Sequence, residues 1–246
     1  MERAEKEEAD INNLERLPEG CISDILSLTT PADVCRSSLV STLFKSAADS
    51  DALWEKFLPA DYQEIISRAL HPFSSAAVPK KDLYYRLCDE PLLIDDGFKS
   101  FQLEKSSGKK CIMIGAKEVD NPSWHWLAHP GSRFPTVVVL QRVSRFEICG
   151  KLDARLLSPK TLYAAYLEER HLYLILDGGG GQHFAQERGD GWMEVEMGYF
   201  YYEGLEDNED GQVHMSVLET EGLIARCGLI VQGIEVRPKV DTQILL

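Results

Sequence analysis

The stretch from Leu14 to Pro59 is crowded with large apolar residues, yet it is too short to bury them by itself. A helical segment of about 45 residues cannot build a self-sufficient core. Part of the surface of Leu17, Ile22, Ile25, Leu26, Leu28, Val34, Leu39, Val40, Leu43, Phe44, Leu53, Trp54, Phe57 and Leu58 must therefore be covered. Two coverings satisfy that demand: the rest of this chain, or a partner protein.

The helical reading comes from local chemistry. Pro18 suits the first position of a helix, where its missing N–H costs nothing, and Ile22, Ile25 and Leu26 then share one face. Thr30-Pro31-Ala32-Asp33 is a second helix start, with Thr30 as N-cap, Pro31 behind it and the Asp33 charge in the first turn. Val34, Cys35 and Leu39 give that helix its apolar side, and Asp51 to Leu58 forms a third helical piece. Two further short helices are expected, one from Asp61 to Ala69 and one from Lys80 to Cys88, separated by the breakers His71-Pro72 and SSAAVP.

From about Phe98 the texture changes to short β-rich runs separated by Gly, Pro, Asp and Ser. Strands are expected at 101–103, 111–114, 136–140, 146–152, 161–167, 171–176, 193–197, 213–217 and 229–236. In the run at 193–197 the acids alternate with apolar residues and are expected to face water. So many short runs in succession argue for an antiparallel sandwich or jelly roll rather than βαβ units. The fold class is thus α+β in two parts. A charged tail (1–12, disordered) leads to a three-helix module (13–60), a helical linker (61–97) and an all-β antiparallel sandwich (98–240).

The formal net charge is −14, which argues against nucleic acid or an anionic membrane as the main partner, since both demand a basic face. The opening MERAEKEEAD predicts neither a signal nor a transit peptide, and no run of about 18 apolar residues is present to span a membrane. The six cysteines are spaced singly, with no C-x-x-C, and are expected to be reduced packing residues of a cytoplasmic or nuclear protein.

Leu17-Pro18, ISDIL at 22–26, LTTPADVCRSSLVST at 28–42, Phe44 and LWEKFLP at 53–59 together resemble an F-box. The match is specifically similar to the plant F-box proteins of the phloem protein 2-B type. The resemblance implies a Skp-type adaptor and a cullin as partners, a ubiquitination target, and no catalytic role for the chain itself. It implies adaptor contact through Leu17, Pro18, Ile22, Ile25, Leu26, Pro31, Val34 and Cys35, with Trp54 closing the segment.

The second half has its own resemblance. WHW at 124–126, EICGKL at 147–152, LSP at 157–159, YAAYL at 163–167, DGWMEVEMG at 190–198 and GLIVQGIEVRP at 228–238 are similar to the phloem protein 2 domain, the Nictaba-type plant lectin. That family implies a ligand containing N-acetylglucosamine, or an N-glycan. Aromatic faces pack on the C–H surface of a sugar while a few polar groups bind its hydroxyls. The implied site residues are Trp124 and Trp126, with Gln212 and Glu219 from a later hairpin. The chain departs from the family where an earlier tryptophan is expected, since Lys117 and Glu118 stand there, and Gln212 replaces an acid.

Other constellations fall short of a site. The glycine run at 178–181 lacks the Lys-Ser/Thr of a phosphate loop, and no His, Cys or acidic grouping has metal-ligand spacing. No Gly-x-Ser-x-Gly or Cys/His pairing supports nucleophilic catalysis. The acidic run at 203–210 reads as a solvated loop. No cofactor is expected.

Overall fold

Four short helices occupy the N-terminal segment of the computed structural model, which describes residues 17–119, 124–140, 146–171, 186–205, 211–219 and 228–239. They are α1 (Glu19–Leu26), α2 (Pro31–Ser37), α3 (Thr42–Ala48) and α4 (Asp51–Phe57), followed by α5 (Tyr62–Ser67) and α6 (Lys80–Asp89). The expected charged tail at 1–12 lies outside the described residues. Helix α1 starts one residue later than its proline suggests. Pro18 is the N-cap, and its carbonyl accepts from the Cys21 and Ile22 N–H groups at 2.9 and 3.3 Å. At α2 the expected cap forms: Thr30 Oγ1 accepts from the Asp33 N–H at 3.1 Å, and Pro31 begins the helix. The Thr30 hydroxyl in turn donates to Asp33 Oδ2 and is the main cause holding that carboxyl below its ordinary range. Helix α3 was not legible as a separate element. It is capped by Ser41, whose Oγ accepts from the Phe44 N–H, and it buries Ala47 and Ala48.

The chain divides into two compact units. The helical unit takes residues up to Gln63, then Phe73–Glu90 and Leu103–Gly108. Its core forms around Trp54, which is fully buried. The indole Nε1 donates to the Ala48 carbonyl at 2.6 Å, and its ring lies 5.7, 5.1 and 5.4 Å from those of Phe57, Tyr84 and Tyr85. Tyr84 and Tyr85 come from α6, which also buries Leu83, Leu87 and Cys88. Ile22, Leu26, Val34 and Leu53 are sealed in the same unit. Part of the covering demanded by the apolar N-terminal stretch is thus supplied by a later helix of this same chain.

The second unit holds Glu64–Pro72, Pro91–Gln102 and the chain from Lys109 onward. Its strands are β1 (Leu92–Ile94), β2 (Lys99–Leu103), β3 (Lys110–Gly115), β4 (Trp124–Leu127), β5 (Val137–Leu140), β6 (Phe146–Asp153), β7 (Thr161–His171), β8 (Gln186–Glu187), β9 (Met193–Tyr202), β10 (Gln212–Glu219) and β11 (Leu229–Pro238). The expected strand at 171–176 falls, beyond His171, outside the described residues. Among the described residues nine strands form one sheet in the order β1-β2-β3-β11-β7-β9-β8, with β5 pairing β11 and β4 pairing β5. β10 and β6 form a second, two-stranded sheet. The registered pairs are antiparallel. The two sheets meet face to face at Gly150 on β6, where an added Cβ would lie 2.8 Å from Ile234 Cδ1 of β11.

β11 is the last of the described strands in sequence, yet it sits in the middle of its sheet, pairing β3, β5 and β7. Leu229 to Val236 are all buried, which accounts for the apolar LIV at 229–231 and for Ile234 and Val236. At Gly233 the backbone of β3 comes so close that a Cβ would stand 2.1 Å from the Ile114 carbonyl oxygen.

One face of the large sheet buries charge. Glu168, Gln232 and Glu235 are buried beneath Arg133, Arg188 and Arg237. Arg188 bonds Glu168 and Glu235; Gln232 Nε2 donates to Glu168 at 2.5 Å; Arg133 donates to Glu235 at 3.2 Å. Arg237 reaches Glu235 at 2.8 Å and grips both oxygens of Glu194 at 2.7 and 2.8 Å. The expectation that both acids at 193–197 face water is corrected here. Glu196 does, whereas the Glu194 side chain is only 13% exposed because guanidinium groups cover it. Burial, reinforced by the neighbouring Glu235 charge, pushes Glu168 up to about 7. Burial pushes Glu235 upward as well, but Arg133, Arg237 and Arg188 outweigh it and hold that carboxyl low.

Candidate functional site

Two surfaces concern the residues singled out from sequence. On the helical unit, Ile22, Leu26, Pro31, Val34 and Trp54 are buried within the unit, Leu17 and Cys35 are half-buried, and Pro18 and Ile25 are exposed. The Cys35 thiol meets the Tyr85 hydroxyl of α6 at 2.9 Å. The buried members hold the unit together, so their apolar surface is already spent on this chain. What the unit presents outward is a different set: Ile25 on α1, Leu28 just beyond it, and Leu39 and Val40 just beyond α2. They are 46, 87, 86 and 57% exposed, far above what large aliphatic side chains show in a sealed core. Sequence periodicity counts these residues as apolar but does not show which of them point outward. The signal available was position: Leu28, Leu39 and Val40 follow helix ends, where the regular packing face runs out.

On the β unit, β4 runs antiparallel to β5, with Trp124 opposite Leu140 and Trp126 opposite Val138. Trp124 opens β4, and Trp126 lies two positions further along the same strand. Trp126 is 49% exposed and its neighbour Leu127 is also open to solvent. The 3-10 turn Ala116–Glu118 holds the positions where the earlier tryptophan is missing. Lys117 Nζ lies 5.3 Å from the centre of the Phe98 ring, and Glu118 takes a hydrogen bond from Lys99 Nζ at 2.9 Å. Neither offers an aromatic face. Gln212 and Glu219 open and close β10, opposite Asp153 and Phe146. Seven strand steps of about 3.4 Å separate them by roughly 24 Å. The structure therefore does not bring these two together around one sugar ring, and it puts them on the two-stranded sheet while β4 belongs to the other.

Among the described residues no group of three or more His, Cys, Asp or Glu side chains converges for a metal ion, and no helix is long and apolar enough to cross a membrane.

Comparison with known proteins matches these two units in order. Residues 14–59 match the F-box-like family model, and residues 109–238 match that of phloem protein 2. Similar relatives from Arabidopsis thaliana include F-box protein PP2-B10, 39% identical over 97% of this chain and 98% of the relative. Putative F-box protein PP2-B12 is 42% identical over 91% of this chain and 97% of its own length. F-box protein SKIP3 is 38% identical over 92% and 89%. With an F-box-like head matched at 14–59 and a lectin-like β domain matched over more than half the chain, the molecule belongs to the family of F-box proteins that carry a phloem protein 2 domain.

Proposed function

We propose that the chain is the substrate-recognition subunit of a Skp–cullin–F-box ubiquitin ligase. In this reading the helical unit docks on a Skp-type adaptor, and the β unit holds a protein or glycoprotein target. The observation that carries it is the exposure of Ile25, Leu28, Leu39 and Val40 on a unit whose core is otherwise closed. Large apolar side chains held outward in this way mark a surface that a partner covers. The half-buried Leu17 and Cys35 and the exposed Pro18 belong to the same helical unit. The chain contributes no reacting group. It raises the effective concentration of the target at the ubiquitin-charged enzyme.

The test is co-purification of the full chain with a Skp-type adaptor. Leu28→Asp combined with Leu39→Asp should abolish capture while leaving the thermal midpoint unchanged, because both side chains already face water, at 87 and 86% exposed. Capture that survives the double variant, or a wild-type chain that binds no Skp-type adaptor, would sink the proposal.

A second reading, a carbohydrate-binding lectin whose F-box is secondary, draws support from the exposed indole of Trp126 on β4. A glycan array comparing wild type with Trp126→Ala tests it. Binding to an N-acetylglucosamine-containing glycan that is lost in the variant favours this reading, and binding that survives removes Trp126 from it.

A further inference from the structure

Of the 11 prolines in the chain, two follow a hydroxyl side chain: Pro31 after Thr30 and Pro159 after Ser158. The two pairs have opposite surroundings. Ser158 is only 8% exposed, and its Oγ accepts from the Lys110 N–H at 3.1 Å inside the β unit. Thr30 is exposed, in the short connection between α1 and α2. Its backbone is extended, with φ −102° and ψ 157°, and Pro31 follows as the first residue of α2. The neighbouring hydroxyls differ from it. Ser27 Oγ donates to the Asp24 carbonyl and Thr29 Oγ1 to that of Leu26, both at 2.7 Å, and neither precedes a proline. Thr30 Oγ1 donates to the Asp33 carboxylate at 2.7 Å on the open surface. An exposed hydrogen bond of this kind exchanges for one to water at little cost.

Thr30 also lies within the face assigned to the adaptor. Leu28, 87% exposed, stands two residues before it, at most about 7 Å away along the backbone. Helix α2 then carries the chain to Leu39 and Val40, the other pair open to solvent. The charges around Thr30 are already matched: Asp33 with Arg36 at 2.8 Å, and Asp24 with Lys56 at 3.0 Å. A phosphate adds about −1.5 to −2 charge at pH 7. Placed on Thr30 it stands beside the Asp33 carboxylate, and both nearby cations are committed elsewhere. It must also shed water when an apolar partner surface closes over Leu28. Burying an unpaired charge in such an interface is costly.

We infer that Thr30 is a phosphorylation site for a proline-directed protein kinase, and that its phosphate closes the adaptor-docking face. The inference rests on the ligase reading of the helical unit. Proline at the following position suits a closed apolar pocket, because any other residue would leave its N–H unpaired there. In the transfer, Thr30 Oγ1 attacks the γ-phosphorus of the kinase's nucleoside triphosphate. A new O–P bond forms, and the bond from the γ-phosphorus to the β,γ-bridging oxygen breaks. The hydroxyl proton passes to the kinase's carboxylate base, and the nucleoside diphosphate leaves. Kinase and adaptor need the same exposed stretch, so each excludes the other. Bound adaptor protects Thr30, and phosphate on Thr30 repels the adaptor, by reciprocal coupling.

The test uses the full chain, a purified proline-directed kinase with MgATP, and a Skp-type adaptor. Mass spectrometry finds the phosphate on Thr30 and not on Ser158. Calorimetric titration shows adaptor affinity falling by roughly tenfold or more after phosphorylation. Limited proteolysis within 17–90 stays unchanged, so the unit is still folded. Thr30→Asp keeps a capping oxygen while adding charge, and it weakens capture too. Thr30→Ala binds the adaptor equally before and after kinase treatment. Adaptor bound beforehand slows phosphorylation of Thr30 by roughly tenfold or more. The inference is overturned if Thr30 takes no phosphate, if the phosphorylated chain binds as tightly as the unmodified one, or if bound adaptor gives no protection. Loss of capture caused by unfolding of the helical unit, seen as new cleavage within 17–90, overturns it as well. With the unmodified chain binding the adaptor, each of these failures leaves the ligase reading standing. An unmodified chain that binds no adaptor fails that reading and this inference together.

Discussion

Replacing Trp54 with alanine separates two roles that a sequence pattern cannot. The resemblance implies that Trp54 faces an adaptor; the structure closes it inside the helical unit against Phe57, Tyr84 and Tyr85. Truncating a buried Trp to Ala costs about 3–5 kcal/mol from lost contacts and the cavity left behind. The Ala48 carbonyl also loses the indole N–H at 2.6 Å, and an orphaned buried acceptor adds about 1 kcal/mol or more. The sum approaches the whole stability of a typical domain, about 5–15 kcal/mol. In a domain of this size a loss of about 4 kcal/mol lowers the midpoint by about 15 to 30 °C. Trp54→Phe keeps an aromatic ring and loses mainly the hydrogen bond, so its cost should be nearer 1–2 kcal/mol. Urea unfolding of the full chain, followed by limited proteolysis mapped to residues 17–90, reads the helical unit by itself. A Trp54→Ala variant within about 1 kcal/mol of wild type that nevertheless fails to capture the adaptor would refute the reasoning, because it would make Trp54 a contact residue.

Two further outcomes test the β unit. Glu168 carries a folded-state pKa raised to about 7 by burial, so between its unfolded value and 7 the folded chain holds a proton that the unfolded chain gives up. Its contribution is therefore present in acid and lost as pH rises through about 7, and urea midpoints should fall over that window in wild type but less in Glu168→Gln. Equal slopes for the two proteins would remove Glu168 as the cause. Gly233→Ala drives a methyl to 2.1 Å from a backbone oxygen that cannot swing aside, so the expected outcome is loss of soluble, cooperatively unfolding protein. A variant with an unchanged melting curve would contradict the described approach of β3 to β11.

Much of the local structure was legible because it depends on neighbours in sequence. The Thr30 cap and the start of α2 at Pro31 follow from side chains three residues apart. The strands at β3, β5, β6, β7, β9, β10 and β11 announce themselves by β-branched and aromatic runs. What was hidden depends on distant residues. Nothing in the N-terminal stretch says that Tyr84 and Tyr85, some thirty residues past Trp54, complete its cage. The Glu-Val-Glu run at 194–196 looks like a solvated strand face, and only the arrival of Arg188 and Arg237 buries one of its acids. A single extra residue at Met197 reverses which of Tyr199, Phe200 and Tyr201 faces out, and no periodicity count detects a bulge. The sequence also did not show that Gln212 and Glu219 stand at the two ends of one strand, because strand ends are set by the pairing with β6.

The central seat of β11 has a consequence for synthesis. A ribosome delivers β3, β5 and β7 well before the strand that joins them, so the nascent sheet waits with three unsatisfied edges until the final stretch emerges. A premature stop codon between His171 and Leu229 would leave those edges permanently open, and open edges recruit strands from other molecules. Truncated alleles should therefore accumulate as aggregates or be degraded, rather than persist as a lone helical head with a loose tail.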